Sequence, residues 1–338
     1  MKLVSVISLV GASVLSSFLP MANAAEVNVY SGRQEELVKP LLERFTAETG
    51  IKVNLITGKA DELISRMVSE GRNSPADIII SSDVGRLYRA KQQQVLQAVQ
   101  SDTLTETIPS ALRDPNGYWY GLTMRARPIM YVTAKVDASE LSTYADLANA
   151  KWKGRICVRS SDNIYNQSLT ASFIAHDGAA ATAKWAQGFV ANFAQPPRGG
   201  DRDQIKAAAA GMCDIVIANT YYLAGMLADD SQKAAAEKLS VFWPNQATDG
   251  VHVNISGAGV AKYAPNKAQA VKLLEFMTTA DAQRWYAEAN HEYSIRADVA
   301  SSDILQRFGE FKADTLQLEN LGELNADAIR LMDRAGWK

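Results

Sequence analysis

Apolar and polar residues alternate over Val27-Asn28-Val29-Tyr30, the two-residue period of a half-buried strand. From Glu35 to Glu48 the period lengthens: Leu37, Val38, Leu41, Leu42 and Phe45 share one face of a helix that Gly50 stops, with Pro40 disturbing its first turn. Ile51 to Leu55 alternates again. Asp61 to Glu70 then carries Leu63, Ile64, Met67 and Val68 at helical spacing up to Gly71. Asp77-Ile78-Ile79-Ile80 is unbroken and apolar, as a strand buried on both faces is. Strand, helix, strand, helix and strand with short links predict a parallel sheet covered by helices.

A second unit of the same kind begins near residue 135. Its strands are expected at Arg155–Val158, Asp214–Ala218 and Ser240–Trp243, and its helices at Ile164–Ala175, Ala179–Phe193 and Asp203–Gly211. Two extended runs, Met124–Thr133 (interrupted by Pro128) and Val251–Ala261, link the units, and helices from Lys267 to Ala289 follow. The expected fold is therefore α/β, with two α/β lobes joined by two extended hinge crossings. One lobe takes residues 25–124 and 262–338, and the other takes 125–261 with both crossings.

The start of the chain changes the compartment. Lys2, the apolar stretch Leu3–Pro20 and the small residues of Ala22-Asn23-Ala24 predict a signal peptide, 1–24, cleaved after Ala24. Export makes a disulfide between Cys157 and Cys213 the better reading, worth about 4 kcal/mol by loop-closure entropy. The alternative is a nucleophilic thiol, but neither cysteine has a histidine nearby in sequence. With 35 Lys and Arg against 37 Asp and Glu, the chain lacks the basic excess that nucleic acid binding needs. His176, His252 and His291 are scattered, without the spacing of a zinc site. There is no nucleophile with a paired base and no two carboxylates placed for acid–base work, so an enzyme is not expected.

In open parallel sheets, ligands bind beyond the carboxyl ends of the strands. Tyr30 ends the first strand, Tyr165 follows the Cys157 strand, and Tyr221 and Tyr222 follow the Asp214–Ala218 strand. Any one of these is readily a packed aromatic; four at strand ends drawn from both lobes suggest a cleft. Phenolate is a hard anionic ligand, and it ionises near neutral pH only beside strong positive charge. Ferric iron supplies that charge, whereas Mg²⁺ and Ca²⁺ prefer carboxylate and carbonyl oxygens. Arg125 and Arg127, on the first crossing, stand where a guanidinium offsets residual charge or holds an anion; a salt bridge is an equal reading for Arg127.

Val29-Tyr30-Ser31-Gly32-Arg33, Met124-Arg125-Ala126-Arg127, the run from Arg159 to Ser168 and Asn219-Thr220-Tyr221-Tyr222 resemble the periplasmic ferric-ion-binding proteins. These are substrate-binding subunits of iron ABC transporters with the type II periplasmic-binding fold, and the resemblance spans the mature chain. It implies Fe³⁺ as bound cargo, Tyr30, Tyr165, Tyr221 and Tyr222 as metal ligands, and Arg125 as a basic residue near the metal that binds an anion or supports the ligands. Val29 precedes Tyr30, so no histidine ligand stands there, and open positions fall to water or an anion such as carbonate. Ser160 and Asn163, before Tyr165, are candidates to hydrogen-bond that anion. The resemblance further implies a periplasmic monomer that delivers iron to an inner-membrane ABC permease. The alternative is a binder of a small anion or organic solute on the same fold, held by Arg125 with the tyrosines as lining.

Overall fold

The computed structural model describes residues 25–338; the expected signal peptide, 1–24, lies outside the described residues. In chain order the elements are β1 (Glu26–Ser31), α1 (Lys39–Thr49), β2 (Lys52–Thr57), α2 (Ala60–Glu70), β3 (Ile78–Ser82), α3 (Val84–Gln92), α4 (Asp102–Thr107), β4 (Tyr120–Ala126), β5 (Ile129–Val132), β6 (Ile156–Cys157) and α5 (Ile164–Ala191). There follow α6 (Asp201–Ala209), β7 (Ile215–Ile217), α7 (Thr220–Ala228), α8 (Asp230–Ala236), β8 (Leu239–Phe242) and β9 (Val253–Val260). The chain ends with α9 (Lys267–Met277), α10 (Ala280–Ala289), β10 (Tyr293–Ser294), α11 (Asp303–Gln306), α12 (Glu319–Glu323) and α13 (Asn325–Arg334).

The strands form two sheets, ordered β10-β4-β9-β3-β1-β2 and β6-β7-β5-β8. β1 runs parallel to β2 and β3, as short βαβ links require. β9 then joins antiparallel between β3 and β4. The fold is that of two α/β lobes, and both covered sheets read as apolar runs because helices lie on their faces.

Local chemistry sets the boundaries. The helix expected from Glu35 begins at Lys39, with Glu35–Leu37 as a separate 3₁₀ turn, because Pro40 lacks an N–H and fits only a first helical turn. Gly50 closes α1 with φ 71, a left-handed cap that glycine adopts without strain. The two helices expected over 164–193 meet at Gly178, whose φ of 81 and ψ of 162 break α5.

Each crossing is narrow. β4 leaves the first sheet and β5 enters the second with Arg127-Pro128 between them; the return runs from β8 to β9 through His252. Arg127 N–H donates to the His252 carbonyl at 3.0 Å. Tyr144, buried in the second sheet's surroundings, donates its hydroxyl to the Arg127 carbonyl at 2.8 Å and accepts from the His252 N–H at 3.3 Å. One phenol therefore ties both crossings together.

Within 262–338, expected in the first lobe, the last helices also contact the second. α11 packs on α7, α12 touches both α3 and α5, and α13 lies along α5. Trp337 stacks its edge among Trp185, Phe189 and Phe193, and its indole N–H donates to the Arg159 carbonyl at 3.1 Å. An amphipathic helix must bury its apolar face, and for α13 the available apolar partner is α5.

Removing the Tyr144 hydroxyl strands a buried carbonyl and a buried N–H at the crossings. Tyr144→Phe is expected to lower unfolding free energy by roughly 1–3 kcal/mol. Urea denaturation measures this, and an unchanged midpoint would contradict the clamp.

Candidate metal-binding site

Two neighbouring parallel strands deliver three tyrosines to one place. β6 leads through a loop to α5, whose first turn carries Tyr165; β7 leads directly to α7, whose first turn carries Tyr221 and Tyr222. The disulfide Cys157–Cys213, with Cα atoms 5.8 Å apart, staples β6 to the entry of β7. It therefore fixes the two strands whose ends present the phenols, and no free cysteine remains for a nucleophile. All three tyrosines stand in the first turns of their helices, and that end of a helix favours negative charge.

Tyr165, Tyr221 and Tyr222 line a cavity of about 540 Å³ together with Arg33, Gln34 and Ser82 of the first lobe. The Tyr221 and Tyr222 rings lie 4.4 Å apart with a tilt of 42°. Arg125 sits 5.2 Å and Arg127 6.0 Å from the Tyr165 ring, and Arg202 sits 5.2 Å from that of Tyr222. Asn219 donates to the Tyr221 oxygen at 3.3 Å.

The phenols differ in how easily they ionise. Burial pushes Tyr165 up, but the Arg125 charge and the facing Tyr221 and Ser82 hydroxyls outweigh it and hold Tyr165 below the usual phenol range. Burial raises Tyr221 well above that range, and its neighbours Tyr165 and Tyr222 raise it further. Tyr222 is raised by burial, by Tyr165 and by Asp201. Ionisation is easiest at Tyr165, and its charge would oppose ionisation of the other two. A multivalent cation at the three oxygens would reverse that opposition, because opposite charge at contact favours the ionised form.

Tyr30, an expected ligand, is not brought to this group. The alternation of β1 sends Val27 and Val29 to one face with Ile78 and Ile80, and Tyr30 to the other with Leu63, Ile64, Met67 and Ile79. It is 0% exposed, and its hydroxyl lies 3.2 Å from each Glu70 oxygen under the Arg66 guanidinium. Burial and the Glu70 charge raise its pKa, so it is held as a neutral donor to a carboxylate.

The residues expected beside an anion, Arg125, Ser160 and Asn163, do not line this cavity. Asn163 is the N-cap of α5, its side-chain oxygen accepting from the Tyr165 N–H at 3.0 Å. Ser160 accepts from the Asp162 N–H at 3.2 Å within the loop. Arg125 is buried beneath the Tyr165 ring, 3.6 Å from Asp83 and 3.3 Å from the Ser256 hydroxyl. It backs the phenol and does not line the cavity. Arg127 forms the salt bridge, to Asp201 at 3.0 Å, and bonds Asn219 at 3.1 Å and Asn166 at 2.6 Å.

Two guanidinium groups line the cavity, that of Arg202 and that of Arg33, which stands in the Tyr30-Ser31-Gly32-Arg33 segment. Glu292 at 2.9 Å and the Ser256 hydroxyl at 2.6 Å fix its guanidinium, and Thr123 donates to the same Glu292 oxygen at 2.7 Å. Among the described residues no cluster of three or more His, Cys, Asp or Glu could hold a metal. The three phenols line the cavity together with the carboxylates of Glu36 and Glu292, and Glu292 is paired with Arg33.

A family model described as bacterial extracellular solute-binding protein matches residues 41–313. The chain is 51% identical over 315 residues to iron uptake protein A1 of Synechocystis sp., covering 93% of this chain and 88% of that protein. It is 27% identical over 319 residues to the major ferric iron-binding protein of Neisseria meningitidis, covering 93% and 94%. It is also similar to the solved structure of Trichodesmium IdiA (FutA) in complex with iron and citrate ligands, with a TM-score of 0.90 at 51% identity, over 93% of this chain and 100% of that one.

The electrostatic order has a direct test. Ultraviolet titration of the metal-free protein is expected to show one phenol ionising below about 10, the ordinary tyrosine value. That step should vanish in Tyr165→Phe and persist in Tyr30→Phe; its persistence in Tyr165→Phe would refute the assignment.

Proposed function

The chain belongs to the bacterial extracellular solute-binding proteins, and from that membership we propose that it binds ferric iron in the interlobe cleft and hands it to an inner-membrane ABC permease. The observation that carries the reading is the convergence of Tyr165, Tyr221 and Tyr222 beside Arg33 in one cavity. Iron-binding relatives over nearly the full chain support the same cargo.

In this reading the three phenols lose their protons and bind Fe³⁺ as phenolates. Three phenolates balance the charge of one ferric ion, so the centre is neutral and tolerates a low-dielectric cleft. Arg125 lies under the Tyr165 ring beside Asp83, and Arg33, although paired with Glu292, lines the cavity. The remaining coordination positions then fall to exogenous oxygen, from water, carbonate or another carboxylate anion, with Arg33 beside it. The first lobe thus contributes a cation and a wall, and no protein ligand from Tyr30. Capture begins on the second lobe, where all three phenols are held, and closure about the crossings excludes water. Reduction weakens the site, since Fe²⁺ stabilises phenolate less than Fe³⁺ does.

The protein acts as a carrier and not as an enzyme in this reading. Its place is outside the inner membrane, after removal of 1–24, and it works there as a monomer. Among the described residues no helix is long and apolar enough to cross a membrane.

Visible absorption tests the reading. Adding a ferric salt to purified protein should produce a broad phenolate-to-iron charge-transfer band. Tyr222→Phe should abolish or shift it and weaken binding by more than the roughly 10–100-fold seen when only a ligand's supporting partner is lost. Tyr30→Phe should keep both band and affinity. A colourless protein at saturating iron would refute the proposal and favour a small-anion binder organised by Arg33.

A further inference from the structure

The backbone of Asp83, between β3 and α3, has φ 83, a left-handed value that a non-glycine residue holds only when its surroundings over-determine it. Its carboxylate is fully buried and serves four groups. One oxygen accepts from the Gly85 N–H at 2.9 Å, capping α3, and from the Ser168 hydroxyl at 2.7 Å. The other accepts from the Asn254 side chain at 3.0 Å and lies 3.6 Å from Arg125. These partners come from three different places: Ser168 from α5, Asn254 from β9 and Arg125 from β4.

Ser168 lies three residues beyond Tyr165 on α5, so the two share a helix face. Arg125 is the cation 5.2 Å from the Tyr165 ring. Asp83 therefore grips Tyr165 twice without touching it, through the helix turn that carries it and through the guanidinium behind it. Close approach of the lobes is built in at the same point. A Cβ at Gly85 would stand 3.2 Å from Ile164 Cδ1, the residue that opens α5.

We propose that Asp83 is a positioning residue for the iron centre, holding the Tyr165 turn of α5 against the first lobe through Ser168. The proposal rests on the iron-binding reading of the same cavity. A carboxylate accepting from a buried hydroxyl makes a charge-assisted hydrogen bond, about twice as strong as a neutral one. Losing that bond should loosen Tyr165 while leaving Tyr221 and Tyr222, on α7, in place.

Ser168→Ala removes the interlobe donor and leaves Asp83 three partners; Asp83→Asn keeps the volume and the capping acceptor but removes the charge. Both, and the double variant, are compared with the unmodified protein in two measurements. Hydrogen exchange of the metal-free protein should rise over residues 164–168 and stay unchanged in the first turn of α7. Iron transfer to a competing chelator, followed by loss of the visible band, should be roughly tenfold faster in each single variant. The double variant should fall short of the sum of the two single effects, because both weaken the Ser168–Asp83 bond. Unchanged exchange at 164–168 in Ser168→Ala would overturn the proposal, whether or not iron binds. So would iron release at the unmodified rate, or additive effects in the double variant. An unmodified protein that shows no iron band defeats the functional reading instead, and the exchange result still decides the role of Asp83.

Discussion

Two guanidinium groups buried where the chain crosses between its sheets impose the constraint that organises the cleft. Arg125 and Arg127 are 2% and 1% exposed, and a charge so placed is tolerated only with close compensation. Arg127 is satisfied by Asn166 on α5, Asp201 on α6 and Asn219, the N-cap of α7. Meeting that one demand draws three helix N-termini together, and two of them carry the tyrosines. Asp201 also takes Arg159 at 2.7 Å, which anchors the loop before α5. Breaking a buried pair of this kind costs about 3–5 kcal/mol, so the same contacts that preserve the fold also set the site's geometry.

The site's chemistry follows from placing phenols among buried cations. Arg125 eases ionisation of Tyr165, while burial and the neighbouring phenols oppose it at Tyr221 and Tyr222. A trivalent cation supplies the missing charge and releases protons as it binds, so uptake should favour higher pH. The disulfide beneath β6 and β7 limits how far the two tyrosine-bearing helices can part. The opposite wall is held differently: Arg33 is fixed by Glu292 and Ser256, a rigid cation facing three rigid phenols.

Much of this was legible in the chain. Two-residue alternation marked β1 and β2, unbroken apolar runs marked β3 and β7, and the cysteines paired as export suggested. The tyrosines of α5 and α7 were found because a residue just past a buried strand has few places to point. Tyr30 misled because it lies inside β1, where the parity of Val27 and Val29, and not the position near the strand's end, decides its face. Asn163 read as an anion ligand, although an Asn two residues before the first helical tyrosine is also the signature of a cap. Arg33 escaped notice because its direction depends on Glu292, a partner 259 residues away. The strap formed by α11 to α13 was hidden for a similar reason: periodicity says that a face is buried, but not against which sheet.

The central claim is that three phenols of one lobe hold the iron and that Tyr30 does not. An anomalous difference map from crystals of the iron-loaded protein, measured at the iron absorption edge, tests it most directly. The expected result is a single peak within bonding distance of the Tyr165, Tyr221 and Tyr222 oxygens, with exogenous density between the metal and Arg33 and with Tyr30 still against Glu70. A peak bonded to Tyr30, or one remote from any of the three phenols, would contradict the account.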